Sequence, residues 1–335
     1  MRVILHIGTE KTGTTAIQNF LHEDRKRLIE RGFNPGCAID PIFGRNNFAL
    51  ALAATPSPNP GLLKFRKTEF PEYRNKVRSI LKKTTTETAS EKCLVFSAEH
   101  LSSQLVSRED ILGLKSLFED GAEFTIVCYI RPQHELLLGA QAESIKAGRS
   151  NLRFNDPRGS APDRRYGIIY YDYDRMLSLW EDVFGLEKMV VVPFEKETLV
   201  DADIVSDFAA RVLKVEPGPI ASGAEQTANQ RLSAEALFVL AKLNERDGAK
   251  TRENLALVSG LDDGRRSVLI DPHVLREFVA SFEESNRNVA LRYLGREALF
   301  DHVSIESEHF DLSDRQRVED ALITFLQRMI SGSSA

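Results

Sequence analysis

Only three cysteines, Cys37, Cys93 and Cys128, occur among 335 residues, an odd number with no CxxC spacing. That excludes a disulfide framework and leaves no cysteine-based zinc site to expect, so the thiols read as buried or idle. His22, His134, His273, His302 and His309 likewise lack metal-ligand spacing, and no metal is expected. No long stretch is dominated by Pro, Gly or Ser, which excludes global disorder. Positive charge is not in excess either. A formal net charge of −5 argues against coating nucleic acid, which needs many Lys and Arg on phosphates, although local basic groups can still hold a small anion. Long apolar runs are missing too. The first, residues 3–7, is far shorter than the ~20 residues of a membrane span and carries no cleavage pattern, so no integral membrane segment and a cytoplasmic location are expected.

What is present is an alternation of short β-branched runs with amphipathic segments, the pattern of parallel strands joined by helical crossovers. Strands are expected at 3–8, 93–97, 124–130 and 189–193. Helices are expected at 14–31 with Gly32 as the stop, at 73–83, from a Ser107/Asp110 cap through 118, from Pro132 to 147, and at 173–184. Beyond 193 helices dominate, with starts expected at Ser233, at Asp271–Pro272, and at Ser313 with Gln316. Residues 34–68 read as irregular and 149–165 as a surface loop of the kind found over active sites. No repeat or clear linker divides the chain, so one domain, 1–335, with helical C-terminal additions is the economical reading.

The most informative segment is Gly8-Thr9-Glu10-Lys11-Thr12-Gly13-Thr14-Thr15, where a strand gives way to a helix. Glycines allow tight turns, free N–H groups can point at an anion, and a helix N-terminus adds positive potential. Lys11 supplies a full charge, and the Thr14 and Thr15 hydroxyls are further candidate donors. The competing pattern is the triphosphate loop GxxxxGK[ST], which has the same glycine spacing. Here Thr14 stands where that loop has its lysine, and Lys11 lies inside the turn.

Lys11-Thr12-Gly13-Thr14-Thr15 resembles the loop of sulfotransferases that use 3′-phosphoadenosine 5′-phosphosulfate (PAPS), whose form is K-[ST]-G-T-T directly after the first strand. The resemblance implies an α/β fold with a central parallel sheet, flanking helices and a P-loop-like arrangement. It also implies PAPS as co-substrate, PAP as product, and an acceptor hydroxyl on a small molecule, saccharide or glycolipid. A second signature of that family holds the 3′-phosphate with an Arg at a strand end and a Ser eight positions later. Arg131 supplies the first, and its planar fork suits phosphate. Gly139 stands in the second position. The family often keeps its catalytic base between these signatures, and there stand Glu99 and His100. His titrates near neutrality, and a buried Glu can be raised to do so. Less specific similarity to the bacterial group of the family extends over 173–194, 229–244 and 282–300. Sulfuryl transfer is therefore the leading expectation; an ATP-dependent kinase and a non-catalytic nucleotide-binding module remain as alternatives.

Overall fold

The computed structural model describes residues 1–55, 70–87, 92–150, 152, 170–216, 232–247, 251–262, 267–306 and 308–332. The surface loop expected at 149–165 falls almost wholly outside them, as does the latter part of the irregular 34–68 stretch. Two compact units are present, one formed by Met1–Arg131, Pro157–Ile220 and Glu283–Asp301, the other by Pro132–Asp156, Ala221–Phe282 and His302–Ala335.

The first unit is built on β1 (Arg2–Gly8), β2 (Phe33–Pro35), β3 (Cys93–Ser97), β4 (Glu123–Ile130) and β5 (Met189–Pro193). They form a parallel sheet in the order β2-β3-β1-β4-β5. Both faces are covered, which is why these strands read as nearly unbroken apolar runs. Val3, Leu5 and Ile7 of β1 join Phe96, Ile126 and Ile130 on one face, where they pack with Leu50, Tyr173, Leu177 and Trp180. On the other face Ile4, Val95, Val127 and Tyr129 meet Ile17, Phe20, Leu21 and Phe208. The result is an α/β fold with a central parallel sheet between helices and a P-loop-like strand–turn–helix at its start.

Several boundaries differ from expectation for local reasons. The helix expected over 14–31 is two helices, Thr14–Glu23 and Arg25–Glu30, because Asp24 sits at φ −86°, ψ 8°, outside helical geometry. β2 was hidden by Pro35, tolerated because β2 is an edge strand whose missing N–H has no neighbour to serve. The helix Phe48–Ala54, inside the stretch read as irregular, has nearly every residue buried and so shows no amphipathic period. Phe70–Glu87 extends the helix expected at 73–83.

In the second unit the helices Gln133–Lys146, Ala234–Asp247 and Arg315–Gly332 contribute to one core containing Ile145, Leu240 and Phe310. Ser233 caps as expected, its hydroxyl accepting from the Ala236 N–H at 3.2 Å. The last helix is instead capped by Asp314, whose carboxylate accepts from the Arg317 N–H at 3.1 Å, while Ser313 turns to Asp311.

One polar network ties the sheet to the helices of the first unit. The buried Tyr129 hydroxyl donates to Asp207 at 2.7 Å, the Val200 N–H donates to the same carboxylate at 3.1 Å, and Arg211 forms a fork on it. Burial opposes the charge on Asp207, but these donors outweigh it and hold the carboxyl below its ordinary range. Removing one partner of such a pair strands the others. Asp207→Ala should therefore cost about 3 kcal/mol in urea denaturation, and Tyr129→Phe only about 1 kcal/mol. Equal costs would show that the carboxylate matters only through the tyrosine.

Candidate active site

β1 ends at Gly8 and the first helix, α1 (Thr14–Glu23), begins at Thr14, so the five residues between them must turn the chain onto the helix. Gly8, Lys11 and Gly13 do so with φ of 109°, 63° and 77°. The glycines have a second reason. A Cβ on Gly8 would lie 3.0 Å from Ser102 Oγ and 3.1 Å from Glu99 Cα, and one on Gly13 would lie 2.9 Å from Ile204 Cγ2. Lys11 has a Cβ, and its left-handed conformation costs roughly 1–2 kcal/mol. The Arg131 guanidinium offsets this by donating to the Lys11 carbonyl. Residues 9, 12 and 14 set the rest of the turn. The Thr9 N–H donates to the Tyr129 carbonyl of β4 at 2.7 Å, and the Thr12 and Thr14 hydroxyls both donate to the Thr9 carbonyl, at 2.7 and 3.2 Å.

These two hydroxyls are thus engaged inside the loop, while Thr15 is exposed at the first turn of α1. The Ala16 and Ile17 N–H groups close on the Gly13 carbonyl. Those of Gly13, Thr14 and Thr15 find no acceptor among the described residues. Together with the positive end of α1 they are donors of the kind that an anion can accept from.

Beside the loop stands the end of β3. The Ala98 N–H donates to the His6 carbonyl at 2.9 Å, which sets Glu99 and His100 next to the end of β1. Glu99 accepts from Gln18 of α1 at 2.6 Å through one carboxylate oxygen, and its other oxygen lies 3.7 Å from His100 Nδ1. The His100 ring packs edge-on against Phe48, with centroids 4.7 Å apart.

The sequence reading missed Glu10. Its N–H donates to the Tyr170 hydroxyl at 2.9 Å, and burial raises its carboxyl above the ordinary range. The Ser103 hydroxyl, His100 and Lys11 act against that rise, and Glu99 adds to it. Glu10 thus lies within electrostatic reach of Glu99 and His100 in the first unit. The signal was visible, since a carboxylate inside a loop otherwise suited to anions is an anomaly.

Arg131 follows β4, with its carbonyl held by the Tyr173 hydroxyl at 2.6 Å and its guanidinium 5.8 Å from the Phe194 ring. Its bond to Lys11 brings it to the loop. Gly139 belongs to the Gln133–Lys146 helix of the other unit. Arg292 pairs with Glu181 on the helix surface of the first unit, and Arg287 is exposed. His6 is packed inside the sheet with Nδ1 2.8 Å from Ser97 Oγ, and burial lowers it to about 3, so it stays neutral. Among the described residues no group of three or more His, Cys, Asp or Glu could hold a metal, and no helix is long and apolar enough to cross a membrane.

The fold and the loop place the chain among P-loop-like α/β proteins. No family model matches it. An uncharacterized protein of Archaeoglobus fulgidus is 25% identical over 216 residues, covering 61% of this chain and 56% of that protein, so the chain matches little more than half of its relative. A crystal structure of a sulfotransferase from Alicyclobacillus acidocaldarius superposes with a TM-score of 0.42 at 16% identity, over 74% of this chain and 98% of the other. Neither likeness assigns a reaction, and the functional reading rests on the loop and its surroundings.

Gly13 and Gly32 separate the two demands on a glycine. Both have positive φ, but nothing lies within 4 Å of a Cβ built on Gly32. Gly32→Ala should cost roughly 1 kcal/mol, from φ alone, and Gly13→Ala distinctly more, measured by thermal denaturation. Equal losses would mean that Ile204 yields freely.

Proposed function

We propose that the protein transfers a sulfuryl group from PAPS to an acceptor hydroxyl. The observation that carries this reading is the position of the charge. Lys11 sits inside a turn whose Gly13–Thr15 N–H groups have no acceptor among the described residues, at the positive end of α1, while the triphosphate-loop lysine position is Thr14, with its hydroxyl on Thr9. Such a site fits a compact anion with little need for a metal to bridge phosphates.

PAPS supplies the sulfuryl group, and its phosphate side is the leaving group. Lys11 and the unengaged Gly13–Thr15 N–H groups bind the 5′-phosphosulfate and stabilise charge that grows on it during transfer, the preorganised kind of stabilisation that contributes most in enzymes. Arg131 is the candidate for the 3′-phosphate, and its bond to Lys11 makes it a brace for the turn as well. Gly139 in the family's serine position offers no hydroxyl there. Removal of the acceptor proton falls to His100, with Glu99 as the alternative. The acceptor, a saccharide or glycolipid hydroxyl, follows from the family resemblance.

Lys11→Ala is expected to lower labelled-sulfate transfer from PAPS by two or more orders of magnitude with little change in melting temperature. Wild-type transfer should persist in excess EDTA, and strict dependence on Mg²⁺ would favour the kinase alternative. Arg131→Ala should erase the preference for PAP over AMP in calorimetric titrations; an unchanged preference would put the 3′-phosphate elsewhere.

A further inference from the structure

Gln18 is a buried amide on α1, one turn beyond the unengaged N–H groups at the start of that helix. Its Nε2 donates to the Ser97 carbonyl at 3.2 Å and to Glu99 Oε2 at 2.6 Å. Both targets only accept, so the NH2 end of the amide alone fits there, and its two hydrogens are both used. One side chain therefore fastens the helix that follows the anion loop to the end of β3 and to the carboxylate just past it.

A staple between helix and sheet needs only the bond to Ser97. The second bond goes to a partly exposed carboxylate that water could solvate, and its effect is to fix where that carboxylate points. The backbone of Glu99 is held as well, its carbonyl accepting from the Ser102 hydroxyl at 3.0 Å. With Oε2 on Gln18, the other oxygen, Oε1, stands 3.7 Å from His100 Nδ1, within ion-pair range.

The surroundings of His100 give that contact its meaning. Nδ1 is buried without a hydrogen bond among the described residues, and the Phe48 ring packs against the imidazole at 4.7 Å between centroids. The side chain is 26% exposed, none of it at Nδ1, so Nε2 is the nitrogen left to meet a proton from outside. For Nε2 to accept, Nδ1 must carry the ring's own proton. A carboxylate facing Nδ1 favours that tautomer and the imidazolium formed from it.

We propose that Gln18 and Glu99 are positioning residues for His100, Gln18 by orienting the Glu99 carboxylate and Glu99 by holding the imidazole ready to take the acceptor proton at Nε2; this rests on the sulfuryl-transfer reading. As the acceptor oxygen bonds to sulfur, its proton passes to Nε2. The bridging S–O bond breaks, and its electron pair leaves on the phosphate oxygen of PAP. Gln18 and the N–H groups of Thr14 and Thr15 belong to one helix, so a single rigid element sets both the anion site and, through Glu99, the base.

The experiment compares wild type with Gln18→Met, which keeps the length of the side chain but not the donor, and Gln18→Glu, which sets a second carboxyl against Glu99. Each is made alone and combined with Glu99→Ala, and His100→Ala is the reference for loss of the base. Labelled-sulfate transfer from PAPS is followed to a panel of methyl glycosides and, without acceptor, to water; PAP affinity is measured by calorimetry, and melting temperature reports the fold. Both Gln18 variants should lose roughly 10–100-fold in kcat, the scale of a small misplacement at a reacting centre, with the KM for PAPS and the PAP affinity unchanged. In the Glu99→Ala background Gln18→Met should lower kcat no further, because its effect runs through that carboxylate.

A lower melting temperature with kcat kept, or losses that multiply in the double variant, would make Gln18 a structural staple and overturn the assignment. Wild-type turnover by Gln18→Glu would do so even if Gln18→Met did not fold. An active His100→Ala beside a crippled Glu99→Ala would make Glu99 the base and overturn it as well, leaving sulfuryl transfer in place. A wild-type protein that binds no PAP would overturn the underlying reading, and this assignment with it.

Discussion

The site depends on one attachment, the fastening of the turn after β1 to the end of β4. The Thr9 N–H reaches the Tyr129 carbonyl, and two residues further along β4's exit Arg131 reaches back to the Lys11 carbonyl. Between these ties the turn holds a lysine in a left-handed conformation and leaves the N–H groups of Gly13, Thr14 and Thr15 without an acceptor among the described residues. Neighbouring parallel strands whose crossovers run to opposite sides create a crevice at their carboxyl ends, where ligands of open α/β sheets gather. β1 lies between β3 and β4, so the turn stands at that place.

Two carboxylates in the first unit, the buried Asp207 and the half-buried Glu10, show how environment sets the charge of a carboxyl. Asp207 has a guanidinium, a phenol and a backbone N–H as donors and is held in its charged form. Glu10 has no equivalent set of donors among the described residues, and desolvation raises its carboxyl. The first arrangement stabilises the fold at neutral pH, and the second works against it. A group kept despite that cost is a natural place to look for function.

Much of this was legible in the sequence because the relevant signals are local. The four longer strands announced themselves as β-branched runs, and Gly8 and Gly13 mark the turn because it needs positive φ. The Ser107, Ser233 and Asp271 caps satisfy N–H groups two or three residues away. What was not legible depends on neighbours distant in the chain. Phe48–Ala54 has no period because it is buried nearly all round, β2 contains a proline that only an edge position admits, and the partition of caps between Ser313 and Asp314 is set by Asp311. In the site, Lys11 and Arg131 could be read separately, but not that one holds the backbone of the other. Glu10 looked like a loop residue because the group that holds its N–H, the Tyr170 hydroxyl, lies 160 positions away.

The central claim is that the turn after β1 receives the phosphosulfate end of an adenosine 3′-phosphate nucleotide. Its most direct test is calorimetric titration of the wild-type protein with PAP, ADP and ATP side by side, each with and without Mg²⁺. The account predicts that PAP binds most tightly, by roughly tenfold or more over ADP, as one charge-assisted 3′-phosphate contact would give, and that Mg²⁺ makes no difference. Tight binding of ATP only with Mg²⁺, and none of PAP, would contradict it.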